Sequence, residues 1–363
     1  MVALPMDKVP LWLDCDPGHD DACAILLAAY HPKLHLLGIS TVYGNAPLTK
    51  TTNNALAVLE AIGKPDIAVI PGAARPFCRL HRAAQEIHGE SGLDGTDLLP
   101  KPQRRPLGHL NAVKEMRDSL MACPPNTAWI VVTGTLTNLA LLMATFPEVA
   151  HHVKGVSIMG GAIGDGFAPV SMGTDYTDAE GRTRKRIGNY SPFAEFNIWC
   201  DPEASQSVFQ NPALKNKTYL IPLDVTHQAY AGKSVQDMLL NGKNNRGGQP
   251  TRVRRMYNEL LMFFAETYHN VFGLSEGPPL HDPLAVAVLL WDFPEDISRI
   301  MFDDRGGERW DINIITEGEQ VGRTVAVPAK EGCVIPRSLD LEKFWHVLED
   351  CMDRADEQTG RRV

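Results

Sequence analysis

Four aspartates stand close together near the start of the chain, in the stretch Asp14-Cys15-Asp16-Pro17-Gly18-His19-Asp20-Asp21. Carboxylates that fold close to one another repel, so this stretch needs a cation, raised pKa values or a helix N-terminus to offset the charge. Pro17 and Gly18 predict a sharp turn that brings Asp14 and Asp16 back toward Asp20 and Asp21. Because the ligands on offer are all oxygens, the stretch indicates a hard cation, calcium or magnesium, rather than zinc.

Three other interpretations of this stretch fit its residues less well. Helix capping by Asp20 or Asp21 would use one carboxylate rather than four. An EF-hand loop starting at Asp14 would need Gly at its sixth position and Glu at its twelfth, where His19 and Ile25 stand. A phosphohydrolase of the haloacid dehalogenase type also begins with a strand followed by D-x-D, but its motif has Thr or Val in place of Gly18. The phosphohydrolase is kept as a weaker alternative.

The elements around this stretch follow an alternation of apolar strand-like runs and helical periodicity, which is typical of a parallel sheet with crossover helices. We expect strands near 9–13, 34–42, 66–70, 128–133, 154–159 and 218–223, and helices near 20–30, 48–62, 109–122, 137–146, 201–209, 251–272 and 282–291. Strand-like segments at 310–315 and 323–327, with a helix from Leu341 capped by Asp340, are expected to complete the same sheet. No linker divides the chain, so a single α/β domain over residues 1–363 is predicted.

Two long segments interrupt the alternation. Residues 72–105 have no sustained period and resemble a functional loop or lid. Residues 164–188 are polar and glycine-rich and carry a basic cluster at 182–186. The stretch 162–188 is therefore predicted to be a surface insertion.

Composition limits the classes of partner. The 363 residues include 35 Lys and Arg against 44 Asp and Glu, a net charge of −9, which argues against binding to nucleic acid or an anionic membrane. The seven cysteines are scattered and predict free thiols in a reducing compartment. Too few residues precede the first strand for a signal peptide, and the longest apolar run, 284–291, is too short to span a bilayer. A cytoplasmic protein is predicted, with the nucleus as a second location.

Further motifs follow in order along residues 9–291, and together with the aspartate stretch they resemble the nucleoside hydrolases, the inosine-uridine-preferring N-ribohydrolase family. The matching segments are Asp14 to Ala22 (DCDPGHDDA), Val42 to Asn45 (VYGN), Ile87 to Gly92 (IHGESG), Thr133 to Asn138 (TGTLTN), Met159 to Gly161 (MGG), Asn189 with Glu195-Phe196-Asn197, and His281-Asp282-Pro283. The resemblance implies a Rossmann-like, open, mostly parallel sheet flanked by helices, the nucleoside hydrolase fold. It also implies a homodimer or homotetramer.

The resemblance also assigns roles to individual residues. It implies that calcium is bound by Asp16, Asp21, the backbone carbonyl of Thr133, and Asp282, and that Asp16 is the general base. His281 and His88 are expected to assist departure of the base. Contacts to the substrate are expected from Asp20, Asn45, Met159, Asn189, Glu195, Phe196, Asn197, Tyr268, His269, Phe272 and Asp282.

The function predicted from these residues is calcium-dependent hydrolysis of ribonucleosides to free base and ribose, in nucleoside salvage. Histidine at both 88 and 281 resembles the branches that act on uridine, so uridine is the expected substrate, with cytidine, inosine and nicotinamide riboside as further candidates. Besides the phosphohydrolase, a non-catalytic nucleoside-binding protein on the same fold is kept as an alternative.

Overall fold

The strands and helices below belong to a computed structural model that describes residues 8–243, 249–293 and 299–360. The strands are β1 (Val9–Cys15), β2 (Leu34–Thr41), β3 (Val69–Pro71), β4 (Trp129–Val132), β5 (Gly155–Met159), β6 (Tyr176–Thr177), β7 (Thr183–Arg184), β8 (Thr218–Ile221), β9 (Phe302–Asp303), β10 (Arg309–Ile314), β11 (Thr324–Ala329) and β12 (Ser338–Leu339). The helices are α1 (His19–Tyr30), α2 (Leu48–Ala61), α3 (Gln85–His88), α4 (Ala112–Met121), α5 (Thr137–Thr145), α6 (Glu148–His152), α7 (Phe196–Cys200), α8 (Pro202–Phe209), α9 (Leu223–Thr226), α10 (Lys233–Asn241), α11 (Arg252–Phe272), α12 (Asp282–Ala287) and α13 (Leu341–Thr359). A 3₁₀ turn, Val288–Leu290, continues α12.

A six-stranded sheet with the order β3-β2-β1-β4-β5-β8 forms the centre of the fold. All of its strand pairs are parallel, as the alternation of strands and helices predicts. The chain builds outward from β1 in one direction through β2 and β3 and in the other through β4, β5 and β8. The order therefore reverses between β1 and β4, and ligands of open α/β sheets bind beside such a switch point, at the carboxyl ends of the strands.

The first strand and helix are buried in the core. Leu11 and Leu13 of β1 have no exposed surface, and every residue of α1 except Ala29 is buried. A helix that is apolar all round must be covered on all sides, and α1 packs against α12 and α13 as well as the sheet. The start of α1, directly after the aspartate stretch, is thereby held in a fixed position.

The C-terminal strands correct one prediction. Strands β10 and β11 do not extend the central sheet but pair with each other as a separate antiparallel ribbon, with Arg309 opposite Ala329 and Ile314 opposite Thr324. Antiparallel strands need only a short connection, whereas a parallel addition to the sheet would need a long crossover. Among the described residues, an isolated bridge between Tyr219 and Val334 joins the segment that follows β11 to the edge strand β8.

Other boundaries agree with the sequence to within a few residues. Asp340 caps α13 as predicted, since its Oδ1 accepts a hydrogen bond from the backbone N–H of Lys343 at 3.0 Å. The helix expected over 109–122 begins only at Ala112, after Asn111, whose side chain caps it. Short helices such as α7 and α9 went unpredicted because four or five residues are too few to display a period. Within the described ranges no helix combines the length and the apolar character needed to cross a membrane.

Candidate active site

Five buried carboxyl groups gather at the carboxyl end of β1. Asp14 is in the strand, Asp16 follows it, Asp20 and Asp21 lie in the first turn of α1, and Asp282 begins α12. Asp20, Asp21 and Asp282 each present a carboxylate oxygen, and these oxygens lie within 4.8 Å of one another. Residues far apart in sequence thus form one cluster of like charge, and its oxygen atoms suit a hard cation.

Burial makes ionisation of these carboxyl groups costly. It raises the pKa of Asp16 and of Asp282 well above the ordinary value, and repulsion from neighbouring carboxylates adds to both shifts. Burial and the neighbouring Asp21 raise the pKa of Asp20 to about 7. Asp282 also forms side-chain hydrogen bonds with Asp20 and Asp21. In the absence of a cation, the cluster therefore retains protons to higher pH than isolated carboxyl groups would.

Asp16 is held by the turn that follows β2. Its Oδ2 accepts a hydrogen bond from the backbone N–H of Asn45 at 2.8 Å, while its Oδ1 is fully buried with no hydrogen-bond partner. A Cβ at Gly44 would collide with the carboxylate, so this close approach requires glycine. An unsatisfied buried carboxylate oxygen is unfavourable, and a cation coordinated there would compensate it.

Thr133 and Asn197 connect the carboxylate cluster to β5. The backbone N–H of Thr133 donates to the carbonyl of Asp14 at 2.8 Å, and its hydroxyl donates to Asp21 Oδ1 at 2.8 Å. Asn197 Nδ2 donates to the Thr133 carbonyl at 2.9 Å. Asn197 thus holds the carbonyl that the resemblance implies as a metal ligand, and the hydroxyl of the same residue reaches the carboxylate cluster.

Glu195 organises the neighbouring turn. Its carboxylate caps α7 by accepting hydrogen bonds from the backbone N–H groups of Asn197 at 2.8 Å and Ile198 at 3.0 Å, and it accepts a third from Gly161 at 2.9 Å. Burial raises its pKa. Glu195 therefore joins the end of β5 to α7, and with it positions Asn197.

A cavity of about 570 Å³ opens above this cluster. Most of the predicted site residues line it: Asp20, Asn45, His88, Thr133, Met159, Asn189, Glu195, Phe196, Asn197, Tyr268, Phe272, His281 and Asp282. Asp16 and Asp21 are fully buried behind this lining. The structure thus brings together residues that the sequence spreads over some 270 positions, at the carboxyl ends of the strands.

His269 is the exception among the predicted substrate contacts, because it lies outside the cavity lining. Tyr268 and Phe272 lie one helical turn apart on the same face of α11 and line the cavity, but His269 is exposed and does not. Adjacent residues of a helix point about 100° apart, so Tyr268 and His269 do not share a face.

His281 is hydrogen-bonded on both ring nitrogens. Nδ1 lies 2.7 Å from the hydroxyl of Thr226, and Nε2 lies 2.7 Å from the hydroxyl of Tyr268, which also bonds the Asn189 side chain. Burial, followed by the nearby His227, lowers the pKa of His281 well below its usual range. His281 is therefore a neutral ring that lines the cavity beside Tyr268, whose hydroxyl it contacts.

His88, the last residue of α3, is paired with another histidine. Its Nδ1 lies 3.0 Å from Nδ1 of His19, the first residue of α1. The two rings stack with centroids 5.3 Å apart, and Phe264 stacks on both. The motif resemblance assigns no role to His19, although His19 stands inside the aspartate stretch.

Further lining residues were not predicted. They are Ala84, Glu86, Ile87, Thr174, Asp175, Arg186, Tyr190, Phe264 and Val271. Phe264 follows the helical spacing of Tyr268 and Phe272, so the aromatic stripe of α11 carried a signal for it. Thr174, Asp175 and Arg186 come from the predicted surface insertion at 162–188, where no periodicity marks which residues face a cavity.

Known proteins resemble this chain over nearly its full length. A sequence profile described as inosine-uridine preferring nucleoside hydrolase matches residues 11–346. Uridine nucleosidase of Saccharomyces cerevisiae is 37% identical over 370 residues, covering 98% of this chain and 99% of its own. Pyrimidine-specific ribonucleoside hydrolase RihA of Shewanella sp. is 37% identical over 281 residues, or 77% of each chain.

Solved structures support the fold. The purine-preferring ribonucleoside hydrolase from Gardnerella vaginalis has a TM-score of 0.77 at 24% identity, over 96% of this chain and 99% of its own. A plant nucleoside hydrolase has a TM-score of 0.74 at 24% identity, over 95% and 99%. The predicted nucleoside hydrolase fold is thereby confirmed.

The carboxylate cluster predicts how stability depends on pH. Unfolded aspartates have a pKa near 3.9, whereas folded Asp20 has a pKa of about 7, so the folded state holds protons more tightly. In chelator, the melting temperature should therefore fall as the pH rises from about 4 to about 7. Calcium chloride at roughly 100 times the Kd for calcium should raise the melting temperature by about 3–5 °C at pH 8, and by less at pH 5.

Differential scanning fluorimetry provides the measurement, with potassium chloride of equal ionic strength as the control. Equal melting temperatures at pH 5 and pH 8 in chelator would contradict the coupling between carboxylate burial and stability.

Proposed function

Because the chain belongs to the inosine-uridine preferring nucleoside hydrolase family, we propose that it is a calcium-dependent hydrolase that cleaves ribonucleosides, uridine above all, to free base and ribose. The observation that carries the proposal is the cavity whose lining combines buried carboxylates with His281, His88 and Tyr268. The carboxylates suit a sugar and a cation, and the rings suit a flat base. Resemblance to a uridine nucleosidase supports the choice of uridine.

Asp16, Asp21, Asp282 and the carbonyl of Thr133 would hold the calcium ion, and the buried unpartnered Oδ1 of Asp16 supports this assignment. When bound, the ion offsets the repulsion among the carboxylates and lowers the pKa of a water molecule. Asp20 lies within the same cluster and is also suited to a ribose hydroxyl.

Asp16 is the proposed general base. Water attacks the anomeric carbon, its proton passes to the Asp16 carboxylate, and the bond between sugar and base breaks. Departure of the base leaves the sugar with oxocarbenium character, and the surrounding carboxylates stabilise that positive charge. A carboxylate oxygen has more than one lone pair, so the Asp16 Oδ1 that Asn45 leaves unbonded would contact both the cation and the attacking water.

The ribose hydroxyls require both donors and acceptors, and the lining supplies them. The proposed contacts are Asp20, Asn45, Met159, Asn189, Glu195, Phe196, Asn197 and Asp282. Asn45 and Asn197 are themselves positioned by hydrogen bonds to Asp16 and Thr133. Their amides are thus oriented before substrate arrives, which lowers the entropic cost of binding.

Departure of the base requires a proton or a hydrogen bond, and we assign this to Tyr268 and His281 together. The tyrosine hydroxyl lies 2.7 Å from His281 Nε2, and both residues line the cavity. With Nε2 protonated, the neutral His281 ring donates a hydrogen bond to the tyrosine oxygen and so orients the tyrosine O–H to donate to the departing base. Phe272, on the next turn of α11, is proposed to pack against the base ring.

Cellular context completes the proposal. The described cysteines are all free thiols, which supports a cytoplasmic location. Nucleoside salvage and assembly as a homodimer or homotetramer stay predictions.

A substrate panel tests the proposed activity. Free ribose should form from uridine, and more slowly from cytidine, inosine or nicotinamide riboside. Its formation should stop in chelator. Release of phosphate from phosphomonoesters without release of ribose would select the phosphohydrolase alternative, and nucleoside binding without turnover would select a non-catalytic protein.

Asp16→Asn should lower kcat for uridine by roughly 10²- to 10⁴-fold, because the amide cannot take the proton of the attacking water. Asp201→Asn is the matched control: Asp201 is a buried carboxylate that caps α8 outside the cavity lining, and asparagine caps equally well. Retention of more than about a tenth of kcat by Asp16→Asn would refute the base assignment.

His281→Ala should reduce kcat for uridine by roughly 10²-fold or more, because the tyrosine hydroxyl then loses the ring that orients it toward the uracil leaving group. Hydrolysis of p-nitrophenyl riboside, whose leaving group departs without a proton, should change far less. Parallel kinetics on the two substrates provide the measurement. Losses of equal size on both would argue against a role for His281 in leaving-group departure.

A further inference from the structure

We propose that His19 holds His88 in the tautomer whose Nε2 is a bare acceptor, so that His88 accepts a hydrogen bond from a ring N–H of the base and selects uracil-like bases over cytosine-like bases. This inference deepens the proposed function and depends on it for the identity of the ligand. It replaces the proton-donating role that the sequence predicted for His88.

The assignment starts at a backbone carbonyl. His19 Nε2 lies 2.8 Å from the carbonyl oxygen of Asp94. A carbonyl oxygen only accepts hydrogen bonds, so His19 Nε2 must carry the proton. In a neutral imidazole the other nitrogen is then unprotonated, which makes His19 Nδ1 an acceptor.

The second step passes from His19 to His88. His19 Nδ1 and His88 Nδ1 lie 3.0 Å apart, and this contact is a hydrogen bond only if one of them donates. Because His19 Nδ1 is the acceptor, His88 Nδ1 carries the proton, and His88 Nε2 is left with a lone pair. The chain of hydrogen bonds from Asp94 therefore determines which nitrogen of His88 is protonated.

The surroundings favour neutral rings. His19 and His88 are 1% and 5% exposed, and Phe263 and Phe264 stack on His19 with centroids 5.2 Å away. Two adjacent imidazolium ions between aromatic rings would repel each other and lose their hydration. A neutral pair forms both hydrogen bonds, from His19 to the Asp94 carbonyl and between the two rings, without an added proton.

The free nitrogen of His88 faces the substrate cavity. His88 lines that cavity, and its Nδ1 edge is turned toward His19. Within the described ranges Nε2 has no hydrogen-bond partner, and it is not one of the fully buried unpaired atoms. It is therefore available to a bound ligand.

An acceptor at this position discriminates between bases. Uracil carries N3–H between two carbonyl groups, and hypoxanthine carries N1–H, whereas the corresponding nitrogens of cytosine and adenine are lone-pair acceptors. Two opposed lone pairs cannot form a hydrogen bond and leave both groups unsatisfied, at a cost of roughly 10- to 100-fold in binding. The tautomer thus favours uridine over cytidine.

Nitrogen NMR of protein labelled with ¹⁵N-histidine tests the tautomer without requiring turnover. His88, identified by the loss of its signals in His88→Gln, should show a protonated Nδ1 and a bare Nε2. Added uracil should shift the Nε2 signal, and 3-methyluracil, which lacks N3–H, should not. A proton on Nε2, or equal shifts with both ligands, would overturn the proposal.

Kinetics of His19 variants test the positioning role. His19→Phe preserves stacking but removes the acceptor, so the ratio of kcat/KM for uridine to that for cytidine should fall by about tenfold. His19→Gln, which offers a donor and an acceptor, should restore part of the preference. His31→Phe, the same substitution at the far end of α1, should leave the ratio unchanged.

Melting temperatures identify variants that fail to fold. If His19→Phe is one of them, the NMR result on the wild-type protein decides whether the proposed tautomer of His88 is correct. An unchanged ratio in folded His19→Phe contradicts the proposal. Absence of ribose release from every nucleoside by the wild-type protein would refute the hydrolase function instead, while the response of His88 to uracil would still decide this inference.

Discussion

The constraint on which the site depends is the burial of several carboxyl groups of like charge at the carboxyl end of β1. Asp16 and Asp21 have no exposed surface, and Asp20 and Asp282, which line the cavity, are hydrogen-bonded to each other. Such a cluster is stable only if something compensates it. The surrounding backbone does part of this: Gly18 and Asn45 direct N–H groups at the carboxylates, and the first turn of α1 adds its dipole. A hard cation would complete the compensation and is also what the proposed chemistry requires.

The aromatic part of the cavity lining has a different physical character. Tyr268, Phe264 and Phe272 come from one face of α11, and this helix is anchored well away from the cavity. Tyr257 donates to the Ala22 carbonyl of α1 at 2.9 Å, and the buried Arg254 pairs with carboxylates of α13. The aromatic wall and the carboxylate floor are thus both attached to α1. A nucleoside between them would meet charge around its sugar and polarisable rings around its base.

The histidines show how neutral groups acquire fixed roles. Each cavity histidine is held by partners from other elements: His88 by His19, and His281 by Thr226 and Tyr268. Burial lowers the pKa of both His88 and His281, so their hydrogen-bond partners, rather than their charge, determine what they present to a ligand. An imidazole can donate or accept, and its neighbours decide which.

Apolar periodicity is a local property of the chain, so the parallel α/β architecture and the strand that ends in the aspartate stretch follow from the sequence alone. The contiguous motifs, through the family that they resemble, also indicated many of the residues that line the cavity. They could not place His269 outside that lining, assign β10 and β11 to a separate sheet, or show that Arg186 of the insertion reaches the cavity. These points depend on the tertiary structure, as does the position of the Asp94 carbonyl beside His19 and of His19 beside His88, across 75 and 69 residues of sequence. A hydrogen bond between distant residues depends on how whole elements pack, which no local pattern records.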